Sequence, residues 1–237
     1  MIDVIVISTL KRLDLFQQTL RSWHENAATH ARGDTLTVVI DGGIGFEVNK
    51  LSGVTFYDHL IVNQYSQGAS ASRNRGASSI PKYRRGKCVM FCDDDLYFCP
   101  GWDATMLRVA EHCTDSIVSG HAHPFNHAEI GLVASEPPEW KYGVPLVIST
   151  PHFMMPWEIW DDVGFFCEPG GPGGSEDFDY CMRAKAKGYG FAVSEPHCVL
   201  HCGLTSSNGK QIVGYEHMVE QNQKLIERYG LKGVING

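Results

Sequence analysis

Residues 88–95 read Cys-Val-Met-Phe-Cys-Asp-Asp-Asp, an apolar run that ends in three consecutive carboxylates. A short, continuously apolar run predicts a buried strand of a parallel sheet. Three acids cannot continue inside such a sheet, because unpaired buried carboxylates are too costly. The chain must therefore leave the sheet at Asp93, which puts the acids at the carboxyl end of the strand, where open α/β sheets bind ligands. Side chains alternate along an extended segment, so Asp93 and Asp95 are expected to face one side and Asp94 the other. Two convergent carboxylates make a hard-oxygen site suited to Mg²⁺ or Mn²⁺, and such a cation in turn suits a diphosphate. The plain alternative is a solvated acidic turn, and a bare D-x-D favours that alternative.

A second group of acids follows a glycine-rich stretch, Gly170-Gly171-Pro172-Gly173-Gly174-Ser175-Glu176-Asp177. Ser175 can cap a helix over 176–187, with Glu176 and Asp177 in its first turn as partners of the helix dipole. Against that purely structural role, so many glycines suit close approach of the backbone to something else. Histidines 121, 123 and 127 could bind metal, but histidines in a polar loop without further donors usually do not. Cys198 and Cys202 lie beside His197 and His201, yet their spacing does not match paired zinc knuckles.

The elements that must position these residues follow from patterning. Strands are expected over 3–8, 35–40, 54–62, 88–92, 116–120, 147–156, 189–193 and 198–201, and helices over 14–24, 68–80, 100–113, 157–163, 176–187 and 215–229. Asp41 ends the second strand, again an acid at a carboxyl tip. The basic turn 82–87 sits at the opposite end of the sheet and reads as solvated surface. Residues 121–145 show no periodicity and read as a long loop, a class that tends to be functional. Residues 203–214 read as a mobile polar loop. Trp140, Tyr142, His152 and Trp157 are candidates for a platform that stacks on sugar rings or nucleobases.

Composition bounds the rest. With 237 residues, 43% hydrophobic and 20% charged, the chain suits a globular α/β protein with a substantial core. A net charge of −7 gives no support for nucleic-acid binding. The opening apolar run is too short for a signal sequence and no run reaches membrane-spanning length, so a cytoplasmic protein is expected. The eight cysteines contain no C-x-x-C, and free buried thiols are expected in a reducing compartment.

Taken in order, several segments resemble the family 2-type glycosyltransferases of the GT-A fold, over most of the chain. Residues 5–12, Ile-Val-Ile-Ser-Thr-Leu-Lys-Arg, resemble that family's opening strand and its I-P-T-Y-N-R turn, with Leu10 and Lys11 replacing Tyr-Asn. Asp41 resembles the acid that contacts the nucleobase. Gly68 through Arg73-Asn74-Arg75-Gly76 is similar to the G-x-x-x-A-R-N-x-G helix, with Ser72 in place of Ala. Asp93-Asp94-Asp95 resembles the D-x-D region. Glu176-Asp177, Asp179, Arg183 and Gly188-Tyr189 resemble the E-D-x-D-x-x-x-R-x-x-x-x-G-Y segment. His201, before Cys202-Gly203, resembles a downstream histidine that adds a metal ligand, and His197 is the competitor for that role.

The resemblance implies a single Rossmann-like, mostly parallel sheet flanked by helices, forming one domain over 1–237. Residues 1–100 would be the nucleotide-sugar half, and 101–237 the acceptor half with a C-terminal lid and helix. It implies a metal-dependent inverting transfer from a nucleotide sugar, a UDP-sugar foremost, to a hydroxyl of a saccharide, protein, small molecule or modified nucleic-acid base. Mn²⁺ or Mg²⁺ would be held by Asp93, Asp95 and His201. Thr9, Asp41, Arg73, Asp93 and Lys210 would hold the donor, Arg73 as a fixed charge or against the base. Asp177 would be the general base, with Glu176 the runner-up and nearer to a sugar-contacting role. The rival readings are a non-catalytic nucleotide-sugar or glycan-binding module and another metal-dependent nucleotide enzyme, a phosphohydrolase or nucleotidyltransferase.

Overall fold

The computed structural model describes residues 1–28, 33–43, 51, 57–120, 131–134, 141–144, 148, 151–168, 176–195 and 198–202. The expected loop 203–214, the expected helix 215–229, the glycine-rich stretch before Glu176, Trp140 and Lys210 lie outside these residues. In chain order the elements are β1 (Ile2–Ser8), α1 (Leu13–Glu25), β2 (Thr35–Ile40), β3 (His59–Val62), α2 (Ala69–Ser78), β4 (Cys88–Cys92), β5 (Leu96–Phe98) and α3 (Trp102–His112). There follow β6 (Ser116–Ser119), β7 (Gly131–Ala134), β8 (Lys141–Val144), β9 (His152–Pro156), α4 (Trp157–Val163), α5 (Glu176–Ala186), β10 (Gly190–Glu195) and β11 (Val199–His201).

Among the described residues the main sheet has nine strands, in the order β3-β2-β1-β4-β9-β6-β10-β8-β7. Strands β3, β2, β1 and β4 are parallel neighbours, the arrangement expected of buried β-branched runs joined by crossover helices. Strand β9 enters antiparallel between β4 and β6, so β6 and its parallel neighbour β10 point the same way as β4. The pair β7 and β8 extends the sheet beyond β10 in antiparallel fashion. These two strands fall within 121–145, which the sequence reads wholly as loop. Four-residue strands are too short to establish a period, and the pairing of β8 with β10 spans about fifty residues of chain.

Alternation along the strands divides the core into two layers. Ile2, Val4 and Val6 of β1, with Met90 and Cys92 of β4, pack under Phe16, Leu20 and Trp23 of α1 and Trp102 and Met106 of α3. Ile5 of β1 and Val89 and Phe91 of β4 face the other way, against α2, α4 and α5 through Ala77, Trp157, Trp160 and Tyr180. Helix α2 lies close on the sheet: a Cβ on Gly76 would stand 2.6 Å from Ile5 Cγ2 and 3.2 Å from Val39 Cγ2, so glycine is required by the approach. Among the described residues, no helix is long and apolar enough to cross a membrane. The cysteines are free; burial pushes the thiols of Cys88 and Cys198 up to about 11 and that of Cys181 up to about 12.

Strand β5 escapes the sequence reading because it is three residues long and pairs antiparallel with β11, about a hundred residues later. Its other edge meets the polar side chains of α1. Thr19 Oγ1 accepts the Leu96 N–H at 2.9 Å and lies 2.9 Å from the Leu96 carbonyl. Ser22 Oγ accepts the Phe98 N–H at 3.1 Å, and Asn26 Nδ2 donates to the Phe98 carbonyl at 2.6 Å. Thr19, Ser22 and Asn26 recur at i, i+3 and i+7 on one helix face, and they stand where a neighbouring strand would. Thr19→Val keeps the shape but strips Leu96, which is 1% exposed, of its side-chain partner. Destabilisation by about 1–3 kcal/mol is expected for the orphaned backbone groups, read as a lower urea midpoint at unchanged slope.

Candidate active site

The β4–β9 ladder runs one residue past the strand, because the Asp93 N–H donates to the Pro151 carbonyl at 2.9 Å. The chain then bends at Asp94 and Asp95 instead of staying extended. The acids therefore group differently from the alternation expected of them. Asp93 turns to Arg73, at 2.8 Å, whereas Asp94 and Asp95 share one guanidinium: Arg12 Nη2 lies 3.1 Å from Asp94 Oδ1 and Arg12 Nη1 2.7 Å from Asp95 Oδ2. Ser8 Oγ donates to Asp94 Oδ2 at 2.5 Å and accepts the Leu10 N–H at 2.9 Å. Leu10 sits in the left-handed region at φ 58°, a conformation that costs a non-glycine residue energy and is found where a turn is held by its surroundings. Burial pushes the Asp94 carboxyl up to about 6 in spite of Ser8 and Arg12, while Arg12 itself, although burial opposes its charge, is held more firmly protonated by Asp95 and Asp94.

Arg73 is the hub. It is 2% exposed, and its guanidinium spans Asp93 and Glu176, Nη1 lying 3.1 Å from Glu176 Oε1. Burial disfavours its charge, but the two carboxylates outweigh burial and raise its pKa. Of the two expected roles of Arg73, this burial between two acids suits the fixed charge, which orients them. Its neighbours on α2 are fixed as well. Asn74 bonds the Phe166 backbone in both directions, at 3.0 and 2.9 Å, and Ser72 Oγ accepts from Asn63 Nδ2 at 3.0 Å. The 72–75 segment thus ties α2 to β3, to the β4 tip and to the segment after α4, which explains why its residue types are polar on a helix packed against a sheet.

Asp41 stands at the carboxyl end of β2, with both oxygens engaged by its own chain. Oδ1 accepts from Asn63 Nδ2 at 3.0 Å and from the Gln67 N–H at 2.8 Å; Oδ2 accepts from Ser66 Oγ at 2.6 Å and from the Gly68 N–H at 3.1 Å. Burial tends to raise its pKa, but these donors prevail and hold it below the usual carboxylate range. Asp41 is thus the anchor of the loop that leads into α2. A nucleobase contact would have to displace one of the four donors. Thr9, at the end of β1, is exposed.

At the other end of the Arg73 bridge, α5 begins at Glu176, 8% exposed, and Asp177, half-buried, whose Oδ1 accepts the Phe178 N–H at 2.8 Å. Because Glu176 reaches Arg73, Asp177 begins α5 one residue from the Arg73–Asp93 bridge. Asp179 is paired with Arg183 at 2.8 Å, and Arg183 in turn donates to the Val163 and Phe165 carbonyls. That clamp seats α5 on the end of α4 and gives Asp179 a structural role.

Of the four residues expected to form a stacking platform, Trp140 and the side chain of Tyr142 lie outside the described residues, and the other two are withdrawn into the core. His152 is fully buried beneath Phe98, its Nδ1 accepting the Gly120 N–H, and Trp157 is buried with its Nε1 donating to Asp3. The β5–β11 pairing does place one expected partner: His201 is in register with Leu96, and the Cys202 N–H donates to the Asp95 carbonyl at 2.7 Å. The backbone of His201 therefore runs beside the acidic tip.

Carboxylate oxygens are the donors a hard divalent cation takes, but among the described residues no three acids, histidines or cysteines converge as a ligand group. Asp93, Asp94, Asp95 and Glu176 bring four carboxylates to the two guanidinium groups of Arg12 and Arg73. Sequence patterning had found the acids but not Ser8 and Arg12, which hold Asp94 and Asp95, or Asn63, which holds Asp41. A basic residue four positions after an acid-facing serine, in the turn after the first strand, was the signal for Arg12.

Two substitutions test these assignments. Arg73→Met leaves Asp93 and the buried Glu176 unneutralised, with an expected loss of about 3–5 kcal/mol of stability by denaturant titration, partly restored by adding Glu176→Gln. Asp41→Asn turns an amide donor towards donors and should cost about 1–3 kcal/mol at neutral pH. Because the Asp41 pKa is lowered by folding, the advantage of the native carboxylate is complete above the ordinary carboxylate range and fades as pH falls through its own lower value. A stability difference independent of pH would contradict the anchoring role.

No protein-family model matches the chain, and no curated protein matches it in sequence. Solved structures do. A crystal structure of GalNAc-T7 with UDP, GalNAc and Mn²⁺ superposes with a TM-score of 0.69 at 11% identity, covering 97% of this chain and 49% of that one. The mannosyltransferase PcManGT from Pyrobaculum calidifontis, in complex with GDP-Man and Mn²⁺, superposes with a TM-score of 0.62 at 14% identity, covering 100% of this chain and 64% of that one. TarS of S. aureus gives 0.54 at 16% identity over 81% of this chain and 34% of its own. The chain thus spans about half the length of the GalNAc-T7 structure. At such identities the likeness is one of fold, and the fold is that of the GT-A glycosyltransferases.

Proposed function

We propose that this chain is a metal-dependent, inverting glycosyltransferase of the family 2 type, which moves a sugar from a nucleotide-sugar donor, a UDP-sugar foremost, to an acceptor hydroxyl. The observation that carries this reading is the Arg73 bridge, which joins the acid at the β4 tip to the acid at the start of α5. It brings a candidate cation site and a candidate base into one cleft at the carboxyl ends of the strands. Residues 1–100 form the donor half in this reading, and 101–237 the acceptor half.

A divalent cation held by Asp93, Asp95 and His201 would neutralise the departing diphosphate as a Lewis acid. The chain supplies the rest. Arg73 keeps Asp93 and Glu176 apart and oriented, so that the acids need no reorganisation when the donor enters. Thr9 lies exposed on the donor side, and Lys210 is assigned to a phosphate. Glu176, engaged by Arg73, orients the cleft and contacts the sugar. Asp177 accepts the acceptor's hydroxyl proton on a carboxylate oxygen as that hydroxyl attacks the anomeric carbon, and direct displacement by a single attack inverts the configuration there.

Asp177→Asn tests the mechanism. The amide oxygen still accepts the Phe178 N–H, so fold and Mn²⁺-dependent UDP affinity should survive. Turnover should fall by about 10²–10⁴-fold for loss of a general base. Near-normal turnover in this variant would remove Asp177 as the base. Absence of Mn²⁺-dependent UDP or GDP binding by the unaltered chain would remove the whole reading.

A further inference from the structure

We propose that Arg12 is a built-in counter-ion for the acidic tip, occupying Asp95 in competition with a divalent cation. The inference rests on the cation site assigned above and adds a residue that opposes it. The Asp94 and Asp95 side chains are 9% and 4% exposed, whereas Arg12, the cation that bridges them, is 37% exposed and enters from the solvent side. Its fork is divided, Nη1 on Asp95 at 2.7 Å and Nη2 on Asp94 at 3.1 Å, so one residue neutralises both. The position is imposed by the turn that carries it: Ser8 links Asp94 to the Leu10 N–H, and Leu10 is held left-handed two residues before Arg12.

Adjacent buried carboxylates repel, and the tip can assemble only if something balances them. Arg73 is shared between Asp93 and Glu176, and Arg12 is the guanidinium that reaches both Asp94 and Asp95. A divalent cation at Asp95 does the same electrostatic task, and a guanidinium within a few ångströms of it is repelled. Arg12 therefore keeps the tip assembled without metal and weakens metal binding by the same charge. Asp94, still held by Ser8, would retain the displaced guanidinium at the rim of the site.

The two effects are linked and separable from a packing role. Arg12→Gln should bind Mn²⁺ alone, without nucleotide, about 10- to 100-fold more tightly than the unaltered chain, by titration of the free-Mn²⁺ electron paramagnetic resonance signal. In metal-free buffer the same variant should melt at a lower temperature than the unaltered chain, and saturating Mn²⁺ should raise its melting temperature by more. Arg12→Lys, which keeps the charge but cannot fork, should fall between the two in affinity, and it decides the matter if Arg12→Gln does not fold. Unchanged or weaker Mn²⁺ binding in the variants overturns the counter-ion role while leaving the cation site standing. If the Asp95→Asn variant binds Mn²⁺ as tightly as the unaltered chain, the site assignment fails and the counter-ion role with it.

Discussion

A fully buried guanidinium is tolerable only when its charge is matched nearby, and Arg73 is matched by acids from two distant parts of the chain. That requirement couples three elements: α2, which carries the arginine; the tip of β4, which supplies Asp93; and the first residue of α5, which supplies Glu176. None can shift independently without leaving a charge unpaired in a place shielded from water. The ring of Phe166, 5.6 Å from the guanidinium, closes the remaining side, and Asn74 fixes Phe166 by its backbone. The candidate cleft is thus organised by electrostatic necessity before any ligand arrives.

The sheet topology makes that coupling possible. By inserting antiparallel between β4 and β6, β9 separates the four parallel strands of the first half from β6 and β10, and it sends α4 back across the same face as α2. Helix α5 then follows with its amino end against the β4 tip. The small β5–β11 sheet performs the equivalent service on the other side, returning the chain to Asp95 after an excursion of about a hundred residues. At the far end of β1, Asp3 is satisfied by Thr35, Gly86 and Trp157, so that the strand is pinned at its base by a carboxylate that has no part in the cleft.

Much of this was legible from the sequence. The strands at β1, β2 and β4, the helix α4, and the acids at both strand tips follow from local patterning, because each is settled by neighbours within one element. What escaped depends on distant partners. Strands β5, β7 and β8 are too short to show a period, and β5 and β8 find partners in β11 and β10, far along the chain. The division of the three acids followed from a bend at Asp94 that alternation cannot anticipate, and the bend exists because Ser8 and Arg12 of another strand-helix turn hold it. Likewise Asp41 looked like a ligand-facing acid, since nothing local reveals that Ser66, Gln67 and Gly68 fold back onto it. The resemblance to a family supplied residue types at these positions, whereas the structure supplied their orientation.

The polar face of α1 has a consequence for how the molecule meets other copies of itself. A three-stranded or longer exposed edge invites pairing with another chain, and natural sheets are usually protected by charge, bulges or short length. On β5 the protection is chemical completion: the donors and acceptors that would template an incoming strand are already spoken for by hydroxyls and an amide of a helix. The small sheet therefore cannot grow past β5. Fraying of α1 would reopen that edge, so early unfolding of this one helix would expose the small sheet to strand-mediated association.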